Sequence, residues 1–407
     1  MRKIIIIIVV FLVFIGLIPT LASFPPFKQI FVNLLERKVN AKVQVENLHL
    51  SWFGPQVLKG VHFTTAELNG TIQEIAMDTP LWDLSNLSIA IANGTINTPA
   101  GSIQEIKGTL KGDQINITSQ NFTVQGTRDN FNFTAANMPT AFAEWLLKTN
   151  LLTPTIGATF DAKGSSSTNA FSIDLSAPTA QLSLSTSITP DAYTLTKPLT
   201  ATFRLTPALV DYPITGIDLA KLRIANGSYP RNFSLDKVQI NDATLDLGRV
   251  QIQHPKLDTL ATFLKSNSLN TDSLTAWLTA TDFSLKEGRL TLSRTDALLA
   301  NAIHLCSWGR INLVKDRLHL ILGVPADTLS STFGIKNISN DYVLQISVSG
   351  SLKDPKFNTS SVGPKLAALI AAGQVQKQGG IIGGVAGVIK QAAQEKAPAA
   401  KRPFPWE

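Results

Sequence analysis

Cysteine is nearly absent. Cys306 is the single one among 407 residues, which excludes an intramolecular disulfide framework and any cysteine-based zinc site. Charge is sparse as well, at 16% of residues, and aromatic residues make up 7%. With 44% hydrophobic residues, the chain is too apolar to be intrinsically disordered. The net charge of +7 does not belong to the body of the protein. Arg2 and Lys3 carry two of the seven, and the stretch from Ser361 onward carries four. Residues 4–360 are left near neutrality, so the body has no field to hold DNA or RNA, and no nucleic-acid partner is expected.

Catalytic signatures are missing too. The five histidines (His49, His62, His254, His304 and His319) form neither H-E-x-x-H nor any close ligand set. There is no nucleophile elbow, no P-loop and no dinucleotide fingerprint. His304 and Cys306 lie two apart and would share a face on a strand, but nothing nearby supplies a third, orienting group. They read as a packed or surface pair. The carboxylates are scattered. The expectation is a non-enzymatic protein with no catalytic residue, no metal site and no cofactor.

What the sequence does have begins at its N-terminus. Met1-Arg2-Lys3 precedes an uncharged apolar run that includes Ile4, Ile8, Phe11, Phe14 and Ile18. As a helix, Ile4–Ile18 reaches about 22 Å, and extension to Phe24 gives about 31 Å, against a hydrocarbon core of about 30 Å. This predicts a membrane anchor over 1–24 with its N-terminus cytoplasmic and the body translocated. Thr20-Leu21-Ala22 leaves a cleaved signal peptide as the alternative, with the same destination for the body.

A short amphipathic helix over 25–38 follows, with Ile30, Phe31, Leu34 and Leu35 on one face. The period then changes to two. Apolar residues alternate at Val43/Val45, Ile89/Ile91, Ile115/Ile117, Phe122/Val124, Phe131/Phe133 and Phe171/Ile173/Leu175. The pattern resumes at Leu290/Leu292, Leu318/Leu320/Leu322 and Leu344/Ile346/Val348. The intervening positions are mostly Thr, Ser, Asn, Gln or charged, the pattern of antiparallel strands with one face buried and one wet. At this spacing the body holds roughly 20–30 strands. Helical patches are expected at about Thr140–Lys148, Leu257–Lys265 and Ser273–Leu278.

Two stretches carry a resemblance. The first runs from Leu34-Leu35-Glu36-Arg37-Lys38-Val39 through Val43-Gln44-Val45-Glu46-Asn47-Leu48 to Trp52-Phe53-Gly54-Pro55 and Leu58-Lys59-Gly60-Val61. The second comprises Phe283-Ser284-Leu285-Lys286-Glu287-Gly288-Arg289-Leu290, Gly309-Arg310-Ile311-Asn312-Leu313 and Leu318-His319-Leu320. It closes on Ile346-Ser347-Val348-Ser349-Gly350-Ser351-Leu352-Lys353-Asp354-Pro355-Lys356-Phe357. Behind an N-terminal anchor, these resemble the opening and closing segments of the AsmA-like family of bacterial envelope proteins. They cover about a third of the chain, and residues 80–255 match only in style.

The resemblance implies a protein anchored in the inner membrane of a double-membraned bacterium, single-pass, with its body in the periplasm. It implies a long curled β-groove of the bridge-like lipid-transfer type that shields acyl chains, acting in phospholipid transport or outer-membrane biogenesis. Many members of the family are far longer. The expected layout is a β-groove over 39–270 and a C-terminal β-domain over 271–360. Ala/Gly-rich helices over 361–396 and a disordered tail over 397–407 complete it. Candidate groove-lining residues are Leu290, Leu292, Leu318, Leu320, Leu322, Leu344, Ile346 and Val348. The other reading of the same alternation is a dry β-sandwich core in a scaffold of the cell envelope. In the C-terminal region Ile381, Ile382, Val385, Val388 and Ile389 share a helical face. That face suits either an interfacial helix touching the outer membrane or an envelope protein, or a cap on the sheet.

Overall fold

Among the described residues the alternating segments are realised as 24 strands, each antiparallel to every neighbour with which it pairs. The structure, a computed structural model, describes residues 28–29, 32–33, 36–37, 40–51, 54–79, 88–232, 234–253, 273–335, 338–358, 360, 362–367, 369–370 and 396–407. The expected anchor (1–24), the helix over Leu257–Lys265 and the face Ile381, Ile382, Val385, Val388 and Ile389 lie outside the described residues. Among the described residues no helix is long and apolar enough to cross a membrane.

The chain divides into two units, up to Pro178 and from Thr179. Within the second unit, strands before residue 254 are hydrogen-bonded to strands after residue 272, across the expected boundary at 270/271.

The first unit is a ten-stranded meander. Its strands are β1 (Lys42–His49), β2 (Gln56–Thr64), β3 (Asn69–Met77), β4 (Ser88–Thr98) and β5 (Gly101–Lys111). They continue as β6 (Gln114–Thr118), β7 (Phe122–Thr127), β8 (Phe131–Pro139), β9 (Thr159–Ser166) and β10 (Ala170–Ala177). Each pairs with the next in sequence, as in an antiparallel meander. Residues 28–29, 32–33 and 36–37 are helical and contact the first strands. Val32 is buried with Val43, Val45, Leu48, Leu58 and Val61, and Glu36 accepts the Val43 N–H at 2.8 Å. Between β8 and β9 lie α1 (Thr140–Leu147) and α2 (Leu152–Ile156), as the Thr140–Lys148 pattern predicts. Lys148 ends α1 in the left-handed conformation.

The second unit begins with β11 (Ala180–Ile188), β12 (Ala192–Leu195), β13 (Leu199–Arg204), the one-turn α3 (Pro207–Val210) and β14 (Ile214–Gly216). It continues with β15 (Leu219–Pro230), β16 (Gln239–Asp246), β17 (Arg249–Gln253), β18 (Ser273–Leu278), β19 (Thr281–Lys286) and β20 (Arg289–Leu299). It ends with β21 (Ile303–Asn312), β22 (Arg317–Pro325), α4 (Ala326–Phe333), β23 (Val343–Gly350) and β24 (Pro355–Asn358). Strand β20 forks the sheet: its first half pairs β19, its last residues pair β18, and β21 runs along its other edge.

Two expectations need correction. Ser273–Leu278 is a strand, not a helix. Leu274 and Ala276 are buried on one side while the backbone is claimed by β17 and β20, and such pairing overrides local helical preference. Residues 397–407 are not a disordered tail. Phe404 is buried at 5% exposure, and the segment packs on β19, β20 and β21. A proline-rich stretch with no period of its own gives no local sign of a docking partner about a hundred residues away.

Candidate functional site

Cross-strand register builds a continuous apolar face in the first unit. Leu48 opposes Leu58, Leu58 opposes Ile75, Ile75 opposes Ile91 and Ile91 opposes Gly108. The row continues through Ile117, Val124, Phe133, Gly164 and Ile173. It crosses ten strands, about 43 Å measured along the sheet at ~4.8 Å per strand. A flanking row joins Met77, Ile89, Leu110, Ile115, Gly126 and Phe131. The opposite face reads Thr109, Asn116, Gln125, Asn132, Ser165 and Ser172, a wet polar row.

The apolar face changes character along its length. Over β1–β3 it closes into a buried cluster. From β4 to β10, among the described residues, every Leu, Ile, Val, Phe and Met on the face is only half-buried. The Phe133 ring lies across Gly164, where a Cβ would collide with it and with the Ser172 carbonyl. The ring therefore lies flat on the sheet rather than standing up into a core. Helix α1 crosses one end of the unit. Glu144, Trp145 and Lys148 border a depression shared with Ala66 and Glu67 of the β2–β3 turn and Pro99 of the β4–β5 turn. In a flat sheet β8 and β2 would stand about 29 Å apart, so an eight-residue helix (about 12 Å) reaches between them only because the sheet curls.

The lining residues expected from sequence lie in the second unit. Leu290, Leu292, Leu318, Leu320, Leu322, Leu344, Ile346 and Val348 do share one face of β20, β22 and β23: Leu320 opposes Val348 and Leu322 opposes Ile346. Their surroundings differ. Leu344 and Ile346 are fully enclosed with Leu274, Val324, Leu329 and Val362, and Leu322 packs against the same cluster. Leu290 packs against a second cluster formed by Ile224, Ile240 and Leu285. Leu318 and Val348 are buried, whereas Leu292 and Leu320 are half-buried. The more open apolar face is the one over β4–β10. Its signal was in the sequence as alternation, but degree of cover is not encoded in the period.

The reverse face of β20 and β21 holds the densest chemistry. A bulge at Ser293-Arg294, opposite Trp308, shifts the alternation of β20 and puts Arg294 and Asp296 on the side of His304 and Cys306. Arg294 donates to both Asp296 oxygens from Nε, at 3.1 and 3.0 Å, and from Nη2 to Oδ1 at 2.6 Å. His304 bonds Asp296 through Nε2 at 3.0 Å and Asp327 of α4 through Nδ1 at 2.6 Å. Asp296 is fully buried and receives the two cations. Burial disfavours charge on His304, but hydrogen bonds to Asp296 and Asp327 outweigh it and raise its pKa to about 9. Burial pushes the Cys306 thiol up to about 12, so it carries no thiolate to attack with. Both imidazole nitrogens are committed to carboxylates. The group is a paired ionic network, and as the sequence suggests, His304 and Cys306 share a face as a packed pair.

Compared with family models, curated proteins and solved structures, the chain matches none.

Proposed function

We propose that the first unit shields the acyl chains of membrane lipids, phospholipid foremost, along its apolar face. The protein would act without catalysis in lipid transport or outer-membrane biogenesis, held at the inner membrane by its N-terminal segment with its body in the periplasm. The observation that carries this reading is the half-buried state of an unbroken apolar face over seven strands, β4–β10. A soluble sheet ordinarily covers such a face with a second layer. Hydrocarbon laid against it would gain about 0.8 kcal/mol per buried CH₂, on the order of 10 kcal/mol for a long acyl chain. The AsmA-like segments at the two ends support the same reading.

The test compares aspartate placed on two apolar faces. Ile117→Asp or Phe133→Asp meets water when no lipid is bound, so the chain should fold while co-purifying with less phospholipid than wild type. Ile346→Asp buries a carboxylate in a closed core and should unfold the second unit. Asn116→Asp, on the wet face, should change neither folding nor lipid content. If detergent-extracted wild type carries no phospholipid above a control membrane protein, and Phe133→Asp abolishes folding, the protein is a dry envelope scaffold instead.

A further inference from the structure

The C-terminal segment lies on the ionic face of β20 and β21 as a ligand lies in a site. The Phe404 and Trp406 rings stack with centroids 4.8 Å apart, and both stand edge-on to His304, at 4.9 and 5.6 Å. Arg294 Nη1 donates to the Pro398 carbonyl at 2.9 Å, and Lys401 pairs with Asp282 of β19 at 2.7 Å. Within the segment, the Glu407 N–H returns to the Phe404 carbonyl at 3.1 Å, closing a tight turn. The contacts thus comprise an aromatic floor, a guanidinium that reads a backbone carbonyl and a carboxylate that reads a lysine.

Two features separate this from ordinary core packing. The segment adds no strand to the sheet, and of its side chains only Phe404 is buried, while Arg402, Pro403, Pro405 and Glu407 are exposed. The floor is also complete without it. Arg294, Asp296, His304 and Asp327 pair with one another, so removing the segment exposes one face of an already paired network; Asp282, which is half-exposed, loses Lys401 but keeps the Thr244 hydroxyl. A floor that keeps its partners when uncovered is pre-organised for binding.

We infer that the cleft floored by His304 and bounded by Arg294 and Asp282 is a peptide-binding site whose occupant is the chain's own C-terminal segment, Pro398–Glu407, held as a releasable latch. Recognition is by proline-spaced aromatic rings on the imidazole, with charge pairing at Asp282. This inference does not depend on the lipid reading.

The test uses full-length protein. A Phe404→Ala/Trp406→Ala chain has its latch weakened, and a synthetic peptide of residues 397–407 is titrated into it. Anisotropy of the labelled peptide should show saturable one-to-one binding. A peptide carrying Phe404→Ala should bind at least tenfold more weakly, as should the unaltered peptide with wild type, whose own tail competes. Absence of saturable binding to the folded double variant, or equal binding to both chains, overturns the inference. Should the double variant not fold, amide exchange on wild type decides. A latch predicts that the Glu407 amide exchanges at least tenfold faster than the paired amides of β20 and β21, once intrinsic rates are divided out. Equal protection at all of them would make the tail fixed core and the inference wrong.

Discussion

Raising the pH should weaken the second unit through a single imidazole. His304 faces Asp296 and Arg294 from β20, Asp327 from α4, Cys306 from its own strand, and the Phe404 and Trp406 rings from the tail. In the folded chain it titrates near 9, and in the unfolded chain near its ordinary 6.5. A raised pKa contributes stability that is fully present below about 6.5 and is lost as pH climbs through about 9. Across that window each pH unit removes up to about 1.4 kcal/mol, on the order of 3 kcal/mol in all. Cys306 stays neutral throughout the window, and the aspartates stay ionised. Guanidinium unfolding of the detergent-solubilised chain, followed by tryptophan fluorescence, should show the midpoint of this unit falling between about pH 6.5 and pH 9. His304→Gln should start lower and lose most of that slope. Equal slopes in wild type and His304→Gln would show that the imidazole is not held protonated by its two carboxylates.

Two further outcomes follow from packing. Leu344→Ala, at a fully buried position beside Val324 and Leu329, should cost the second unit about 2–5 kcal/mol, read as a lower unfolding midpoint at unchanged slope. Gly164→Val drives a side chain into the Phe133 ring and the Ser172 carbonyl, and should destabilise the first unit by about 1–3 kcal/mol. Phe133→Leu in the same chain should recover part of that loss, because the ring is half of the collision.

The alternation of Ile, Leu, Val and Phe was enough to read a mainly antiparallel β protein with few helices, because period two is a local property that each strand carries whatever it pairs with. The common face of Leu318, Leu320, Leu322, Leu344, Ile346 and Val348 followed from the same rule. So did the shared face of His304 and Cys306. What covers a face is settled by residues far away in sequence, and there local pattern is silent. Leu344 and Ile117 sit in equivalent alternations, yet one is sealed by Leu329 and Val362 and the other is half-open. Arg294 and Asp296 carry no local signal, because a bulge, a helix start and a tail from beyond residue 396 bring their partners to them. The sequence by itself determined most of the strands and, wherever no bulge intervenes, which side chains share a side. Only the tertiary structure decided which sides close, where the buried charges find partners and where the C-terminus docks, because each depends on contacts between segments that no local period records.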